Sequence, residues 1–430
     1  MSKISKPSPD TSDEMKAVIE AMGRNARAAA RILGATNGQI RNDALRKMAD
    51  GLEAAHAEIL DHNATDVEAA RHDEIAAAMI SRLTLTDKKL ASMAQCIREV
   101  AAQVDPVGQT IEAYDRPNGL RVEKRRVPIG VIGIIYESRP NVTTDAAALC
   151  LKSGNATILR GGKEVIHTNQ VLARVIRESL QSARLPPDCV QIVETTDRNA
   201  VKALVQAEGL IDLVIPRGGE SLIRAVVEQA TVPVIKHYKG VCHIYIDRDA
   251  DAEMAVKVAV SAKVDGYMVC NTAECILVHK DIAAQVLPRI AMEFRKAGVQ
   301  MRADSRSLGL LQDAKLATES DWGQEYLDLI VAIRQVNSID EAINFINQYG
   351  SGHTDAIMTR SIAAAEKFTT DVDSASVMVN ASTRWADGYE YGLGAEIGIS
   401  TDKLHARGPM GAADLCTYKF IVTGKGHIRR

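Results

Sequence analysis

Aromatic residues are scarce in this 430-residue chain: two Trp, four Phe and ten Tyr, 4% in all. That leaves few platforms on which single-stranded nucleic acid could stack. Positive charge has no excess either. Fifty-two Lys and Arg against 55 Asp and Glu give a formal net charge of −3, so no overall basic field points to nucleic acid or an anionic membrane. The longest plainly apolar run, Ile129 to Tyr136, is far short of the about 20 residues that span a bilayer. The opening MSKISKPSPDTSDEM has no apolar h-region and does not read as a secretory signal. Its Ser, Pro and Lys content makes residues 1–12 an expected flexible tail.

No C-x-x-C pair occurs. The seven cysteines, Cys96, Cys150, Cys189, Cys242, Cys270, Cys275 and Cys416, are odd in number and scattered, which favours free thiols in a reducing compartment and so a cytoplasmic protein. The usual site fingerprints are missing too: G-x-G-x-x-G after a strand, a Walker A loop, H-E-x-x-H and G-x-S-x-G.

What is present is the composition of a packed globular protein. Apolar residues are 46% and charged residues 25%, which excludes disorder along most of the chain and supplies a core. The length suggests two or three structural units.

The first hundred residues carry helical stripes. Val18, Met22, Ala29 and Ile32 form one, Leu45, Met48, Leu52 and Ala55 another that Ile59 continues, and Leu90, Met93, Ile97 and Val100 a third opened by Thr86-Asp87. Residues 109–126 are charged, with Asn118-Gly119 in the middle, a strong hairpin signal. A hairpin this polar faces solvent or reaches a partner subunit. From Pro128 the rhythm is strand, helix, strand: GVIGIIY, ATILRGG, CVQIVE, LIDLVIPRGG and VPVIKHY separated by helical stretches. It restarts at Cys242 with CHIYID, CILVHK, LIVAIRQV, HTDAIMT and SVMVNAS. Continuous apolar strands joined by helices predict parallel sheets covered on both faces, an α/β protein. YKFIVTG closes the chain as a strand.

Polar groups sit just past several strand ends, where open parallel sheets bind ligands. They are Tyr136-Glu-Ser-Arg-Pro-Asn141, Arg160-Gly-Gly-Lys163 and Pro216-Arg-Gly-Gly-Glu220. A Gly pair at a helix start lets backbone N–H groups approach a phosphate, and a flanking cation adds charge. One such loop reads as a tight turn with a solvated cation; three in one sheet point to an anionic cofactor.

Most free thiols are buried packing groups, and Cys150, Cys189 and Cys275 fit that. Cys270 instead lies in the polar turn Tyr267-Met-Val-Cys-Asn-Thr272, where an accessible thiol beside hydrogen-bond donors suits a nucleophile. Cys242 is the rival. His237 and His243 are near it in sequence, but their spacing matches no standard zinc pattern, and no metal is expected.

The strings GVIGIIYESRPNVT, ILRGGKE, PRGGESL, VCNTAE, GSGHTDAIMT, VNAST, YGLGAEIGIS and HARGPMG resemble the aldehyde dehydrogenase superfamily, and within it the γ-glutamyl phosphate reductase family. The likeness runs from about Asp13 to Gly424. It implies a cofactor-binding α/β domain (13–108 and 127–238), a catalytic α/β domain (239–409) and a small β oligomerisation arm (109–126 and 410–430). The nucleophile carries over onto Cys270. Lys163 resembles the superfamily lysine near the cofactor ribose and suits the extra phosphate of NADPH over NAD. Arg217, Gly218 and Gly219 belong to the same cofactor edge. Glu325 resembles the glutamate that orients the nicotinamide ribose. Ungapped matching puts the place of the superfamily oxyanion-hole asparagine at Arg139, with Asn141 two residues on as the candidate carried over. Phe345 replaces a helix His common in the family and reads as packing.

Hydrolytic relatives carry a glutamate base upstream of the thiol. Between Thr231 and Ile246 this chain has no carboxylate, so a thioester there would survive to meet phosphate or hydride. The resemblance therefore implies reduction of L-glutamyl 5-phosphate to L-glutamate 5-semialdehyde with release of phosphate, in proline biosynthesis. Arg139, Arg384 and Ser382 are candidates for holding the anionic substrate, with a surface arginine the other reading of Arg384. His353 either touches substrate or caps a turn. The resemblance also implies a dimer or tetramer, and the kinase that makes the acyl phosphate as a partner. Two alternatives stay open: a hydrolytic or acylating aldehyde dehydrogenase with another substrate, and a nucleotide-binding protein that kept only the fold.

Overall fold

The computed structural model describes residues 9–429. The chain divides into two compact units. One runs through Lys236 and takes in Gly392–Gly398 and Met410 onward; the other comprises His237–Tyr391 and Ile399–Pro409. The expected tail lies outside the described residues over 1–8, and a helix runs from Pro9 to Ala35.

Five helices, Pro9–Ala35, Gly38–Ala54, His56–His72, Ala77–Leu83 and Asp87–Ala102, open the first unit. Thr86 caps the last of them by accepting the Lys89 amide, as its place before Asp87 predicts. Leu90, Met93, Ile97 and Val100 are buried, as are Leu45, Met48, Leu52 and Ile59. The first stripe holds at Ala29, which is buried, and at Met22, which packs partly buried against the core, but not at its two ends. Ile19, Ala26, Ala30 and Leu33 face the core, while Val18 and Ile32 are exposed. That helix is rich in alanine, so two adjacent faces are nearly equal in apolar weight and periodicity alone picks poorly between them.

Its parallel sheet has four strands in the order Val190–Ile192, Ala156–Arg160, Val131–Tyr136, Leu213–Arg217. Every residue of Val131–Tyr136 is buried, the mark of a strand covered on both faces. The expected strand at VPVIKHY does not form. Val234 makes only an isolated bridge to Val214; Pro233 brings no N–H to extend a ladder. A separate antiparallel sheet joins Thr110–Asp115, Arg121–Pro128 and Cys416–Thr423. The first two pair around the Asn118-Gly119 turn, with Gly119 at φ +87°, a left-handed value suited to glycine.

The second unit holds a seven-stranded, all-parallel sheet. Its order is Lys315–Leu316, Gln300–Ala303, Ile330–Val336, Ala273–His279, Cys242–Ile246, Thr354–Met358, Ser376–Val379. The edge strand at 315–316 and its neighbour at 300–303 carry too little apolar pattern to announce themselves in sequence. No helix among the described residues is long and apolar enough to cross a membrane.

Candidate active site

In the first unit the strand order reverses between Val131–Tyr136 and Leu213–Arg217. The crevice beyond the carboxyl ends at such a reversal is where open parallel sheets hold ligands. The Glu137 amide donates to the Arg217 carbonyl at 3.2 Å. Its carboxylate accepts the Gly219 N–H at 3.0 Å, at the start of helix Glu220–Gln229. The Ser138 hydroxyl donates to Glu164 at 3.4 Å, so the loops at 137–139, 161–164 and 217–219 converge.

A Cβ on Gly218 would stand 2.7 Å from the Glu137 carboxyl carbon, and one on Gly162 2.6 Å from Glu164. A Cβ on Gly219 would meet nothing within 4 Å. Lys163 is exposed, makes no hydrogen bond or ion pair among the described residues, and borders a cavity of about 470 Å³ with Ile75, Ala76 and Met79. The half-buried Arg217 guanidinium lies 3.8 Å from the Glu396 carboxylate. This edge fits the phosphates of a dinucleotide: bare backbone at a helix start, one unengaged lysine, and an arginine. A phosphate arriving at the Gly219 amide would compete with Glu137.

Arg139 and Asn141 sit at the start of helix Pro140–Lys152, and both are exposed. The Asn141 side-chain amide donates to Asp145 at 2.8 Å. Burial pushes the Asp145 carboxyl up to about 6, against the opposing Asn141 and Cys96 hydrogen bonds. Asp145 is thus the residue that aims Asn141, and nothing in the sequence singled it out.

In the second unit the thiol lies at the opposite, amino edge of its sheet. Cys270 is in the turn ahead of Ala273–His279; Gly240, Glu325 and His353 lie ahead of three other strands. The turn is braced from the segment 382–386. Arg384 Nε donates to the Asp265 carbonyl at 2.7 Å, and its Nη1 donates to Asn271 Oδ1. Asn271 returns a bond to the Ala386 carbonyl at 3.0 Å. Ser382 is buried and accepts the Arg384 amide at 3.3 Å. Thr272 donates to the Gly266 carbonyl at 3.1 Å.

Gly240 runs backbone to backbone against Cys270. A Cβ there would fall 1.8 Å from the Cys270 carbonyl oxygen, so only glycine is accommodated. Its amide donates to Glu325 Oε1 at 2.8 Å. Glu325, Arg384 and Ser382 therefore gather around the Cys270 turn. Lys163, Arg217, Gly218, Gly219, Arg139 and Asn141 gather in the first unit.

Cys242 is fully buried, its thiol pushed up by burial, and it donates to the Cys270 carbonyl at 3.2 Å. It supports the turn and is no rival nucleophile. The cluster of Cys242 with His237 and His243 does not form. His243 points to Asp355, with Nδ1 2.8 Å from Oδ1, both fully buried. Among the described residues His237 and His353 instead flank Cys270, with ligand-capable atoms all within 4.8 Å of one another. Phe345 packs against Trp322 and His243, as its packing role predicts. The adjacency of His237, Gly240 and His353 to the thiol brings the segment ahead of Cys242–Ile246 and the one ahead of Thr354–Met358 to the turn ahead of Ala273–His279, and spacing along the chain carries no sign of it.

The profile of the aldehyde dehydrogenase family matches residues 5–319. This chain belongs to the aldehyde dehydrogenase family. It is similar to the solved γ-glutamyl phosphate reductase of Thermotoga maritima, at 44% identity over 96% of this chain and 100% of that one, TM-score 0.93. It is similar also to that of Saccharomyces cerevisiae, at 31% identity over 95% and 98% of the two chains, TM-score 0.54. An acetylating aldehyde dehydrogenase from Geobacillus thermoglucosidasius shares the fold at 18% identity, covering 98% and 100%, TM-score 0.69.

Proposed function

We propose that this protein reduces L-glutamyl 5-phosphate to L-glutamate 5-semialdehyde with release of phosphate, the reductive step of proline biosynthesis, using NADPH. The observation that carries the reading is the half-exposed Cys270, standing in a braced polar turn within a chain 44% identical to a γ-glutamyl phosphate reductase.

The Cys270 thiolate attacks the γ-acyl carbonyl and phosphate leaves, so a glutamyl thioester forms on sulfur. Sulfur donates less into the carbonyl than oxygen or nitrogen, which leaves the thioester open to reduction and explains Cys in place of Ser. Bound NADPH supplies the hydride for that reduction. Collapse of the thiohemiacetal frees the aldehyde and restores the thiolate. Backbone N–H groups of the turn and the Asn141 amide, aimed by Asp145, are suited to an oxyanion. Lys163, Arg217, Gly218 and Gly219 would hold the cofactor's phosphates, with Lys163 favouring NADPH over NAD, and Glu325 its nicotinamide ribose. Arg139, Ser382 and Arg384 would meet the substrate's anionic groups. The first unit is then the cofactor domain and the second the catalytic one.

The arm supports a homo-oligomer. Tyr418, Phe420 and Val422 project exposed from one of its edge strands, and open edges invite pairing.

The test runs the reaction backwards. Glutamate 5-semialdehyde, NADP and inorganic phosphate should yield NADPH, and Cys270→Ala should yield none while staying folded. Equal rates without phosphate, or a glutamyl adduct trapped on another cysteine, would defeat the proposal.

A further inference from the structure

Beside the nucleophile stands a set of ligands that its chemistry does not require. Cys270, His237 and His353 offer one sulfur and two imidazole nitrogens, all within 4.8 Å of one another. The imidazole rings meet edge to face, with centroids 5.6 Å apart. His353 is fully buried, and its Nδ1 lies 2.9 Å from the Thr354 hydroxyl, a contact that fixes the ring. His237 and Cys270 are half-exposed, which leaves their side chains room to rotate.

Tetrahedral zinc, with Zn–S near 2.3 Å and Zn–N near 2.0–2.1 Å, sets neighbouring donors about 3.5 Å apart. Closing from 4.8 Å asks for side-chain rotation and no movement of the sheet. One thiolate and two imidazoles leave a fourth position for water, and such soft donors select zinc-class ions over magnesium or calcium.

We propose that His237, Cys270 and His353 form a reversible inhibitory site for a thiophilic divalent cation of the zinc class. The ion binds the sulfur lone pair and releases the thiol proton to solvent. A metal-bound sulfur cannot acylate, and an acylated sulfur cannot bind the ion, so metal and acyl substrate exclude each other. The inhibition rests on Cys270 being the nucleophile; the binding does not.

The experiment is an anaerobic titration of the metal-stripped full-length protein with Co²⁺, read by the thiolate-to-cobalt charge-transfer band in the near ultraviolet. We expect a band saturating at one ion per chain, displaced by Zn²⁺ and absent in Cys270→Ser. His237→Ala should weaken Co²⁺ by more than about tenfold, since even an outer partner of a ligand costs that much. His353→Gln is the second variant, because a buried substitution can perturb folding. Cys96 is the other thiol that is not buried, and Cys96→Ala should leave the band unchanged. No band, a band lost in Cys96→Ala, or a band indifferent to His237→Ala overturns the proposal. A normal band from a protein whose glutamyl adduct sits elsewhere leaves the site standing and removes the catalytic reading.

Discussion

Glu325 accepts the Gly240 amide through Oε1 at 2.8 Å, and Gly240 in turn abuts the Cys270 carbonyl. A carboxylate and the Cys270 turn, 55 residues apart in sequence, are thus joined through one main-chain contact. Moving Glu325 moves the peptide against which the thiol's backbone rests.

Gly240→Ala should be costly and Gly219→Ala cheap. At Gly240 the new methyl collides with rigid backbone 1.8 Å away, whereas at Gly219 it meets nothing within 4 Å. Overpacking of this kind costs about 1–3 kcal/mol. Urea midpoints should show that loss for Gly240→Ala and a change within about 0.5 kcal/mol for Gly219→Ala. Gly219→Ala should instead raise the KM for the dinucleotide, because the methyl stands where a phosphate would approach the amide. An unchanged KM would remove Gly219 from the cofactor site.

Arg384→Lys should lower kcat/KM by about a hundredfold, the loss that a small misplacement of reacting groups produces. The guanidinium reaches both the Asp265 carbonyl and Asn271 Oδ1, and a single ammonium cannot span that fork. Hydrogen exchange in residues 265–272 should quicken in step with the loss. A raised substrate KM with unchanged exchange would mean that Arg384 binds the substrate and braces nothing.

Asp145 predicts a pH dependence of stability. Burial raises its folded value to about 6 from 3.8 unfolded. Between those values the folded state holds the proton more tightly than the unfolded state. Its contribution is therefore fully present below pH 3.8 and is lost as pH rises through about 6. Asp145→Asn keeps the shape without the ionisation. The stability of the variant relative to wild type should be greater at pH 8 than at pH 5, read from urea midpoints. A difference of the opposite sign would count against a raised carboxyl.

Alkylation should single out Cys270. Five of the seven cysteines are buried, and only Cys96 and Cys270 are not. Burial, followed by the charges of Asp145 and Glu99, pushes the Cys96 thiol well above its ordinary range, which starves it of the reactive thiolate. Iodoacetamide should label Cys270 first and Cys96 slowly, with the others following only on unfolding. Peptide mapping by mass spectrometry reads the order, and prior labelling of Cys96 would contradict it.

Much of the fold was legible in the chain because period and punctuation are local signals. GVIGIIY can only be a strand covered on both faces, Thr86-Asp87 opens a helix, and Asn118-Gly119 turns a hairpin. Where two local choices were nearly equal, as on the alanine-rich first helix, the pattern held at Met22 and Ala29 and missed at Val18 and Ile32. Where a strand needs partners more than propensity, as at 300–303 and 315–316, nothing announced it; where Pro233 interrupts the ladder, the apolar run misled.

By itself the sequence determined the parallel α/β architecture, the Gly-bearing loops at strand ends, and Cys270 as the thiol set in a polar turn, since these depend on neighbours a few residues apart. Only the tertiary structure decided what surrounds that thiol. His237 with Gly240, Glu325 and His353 come from three segments that parallel strands align by their amino ends along one edge of a sheet, and Arg384 joins them from the turn that follows Ser376–Val379. Side-chain direction at such an edge is set by cross-strand packing, and that turned His243 toward Asp355 and left His237 and His353 beside the sulfur.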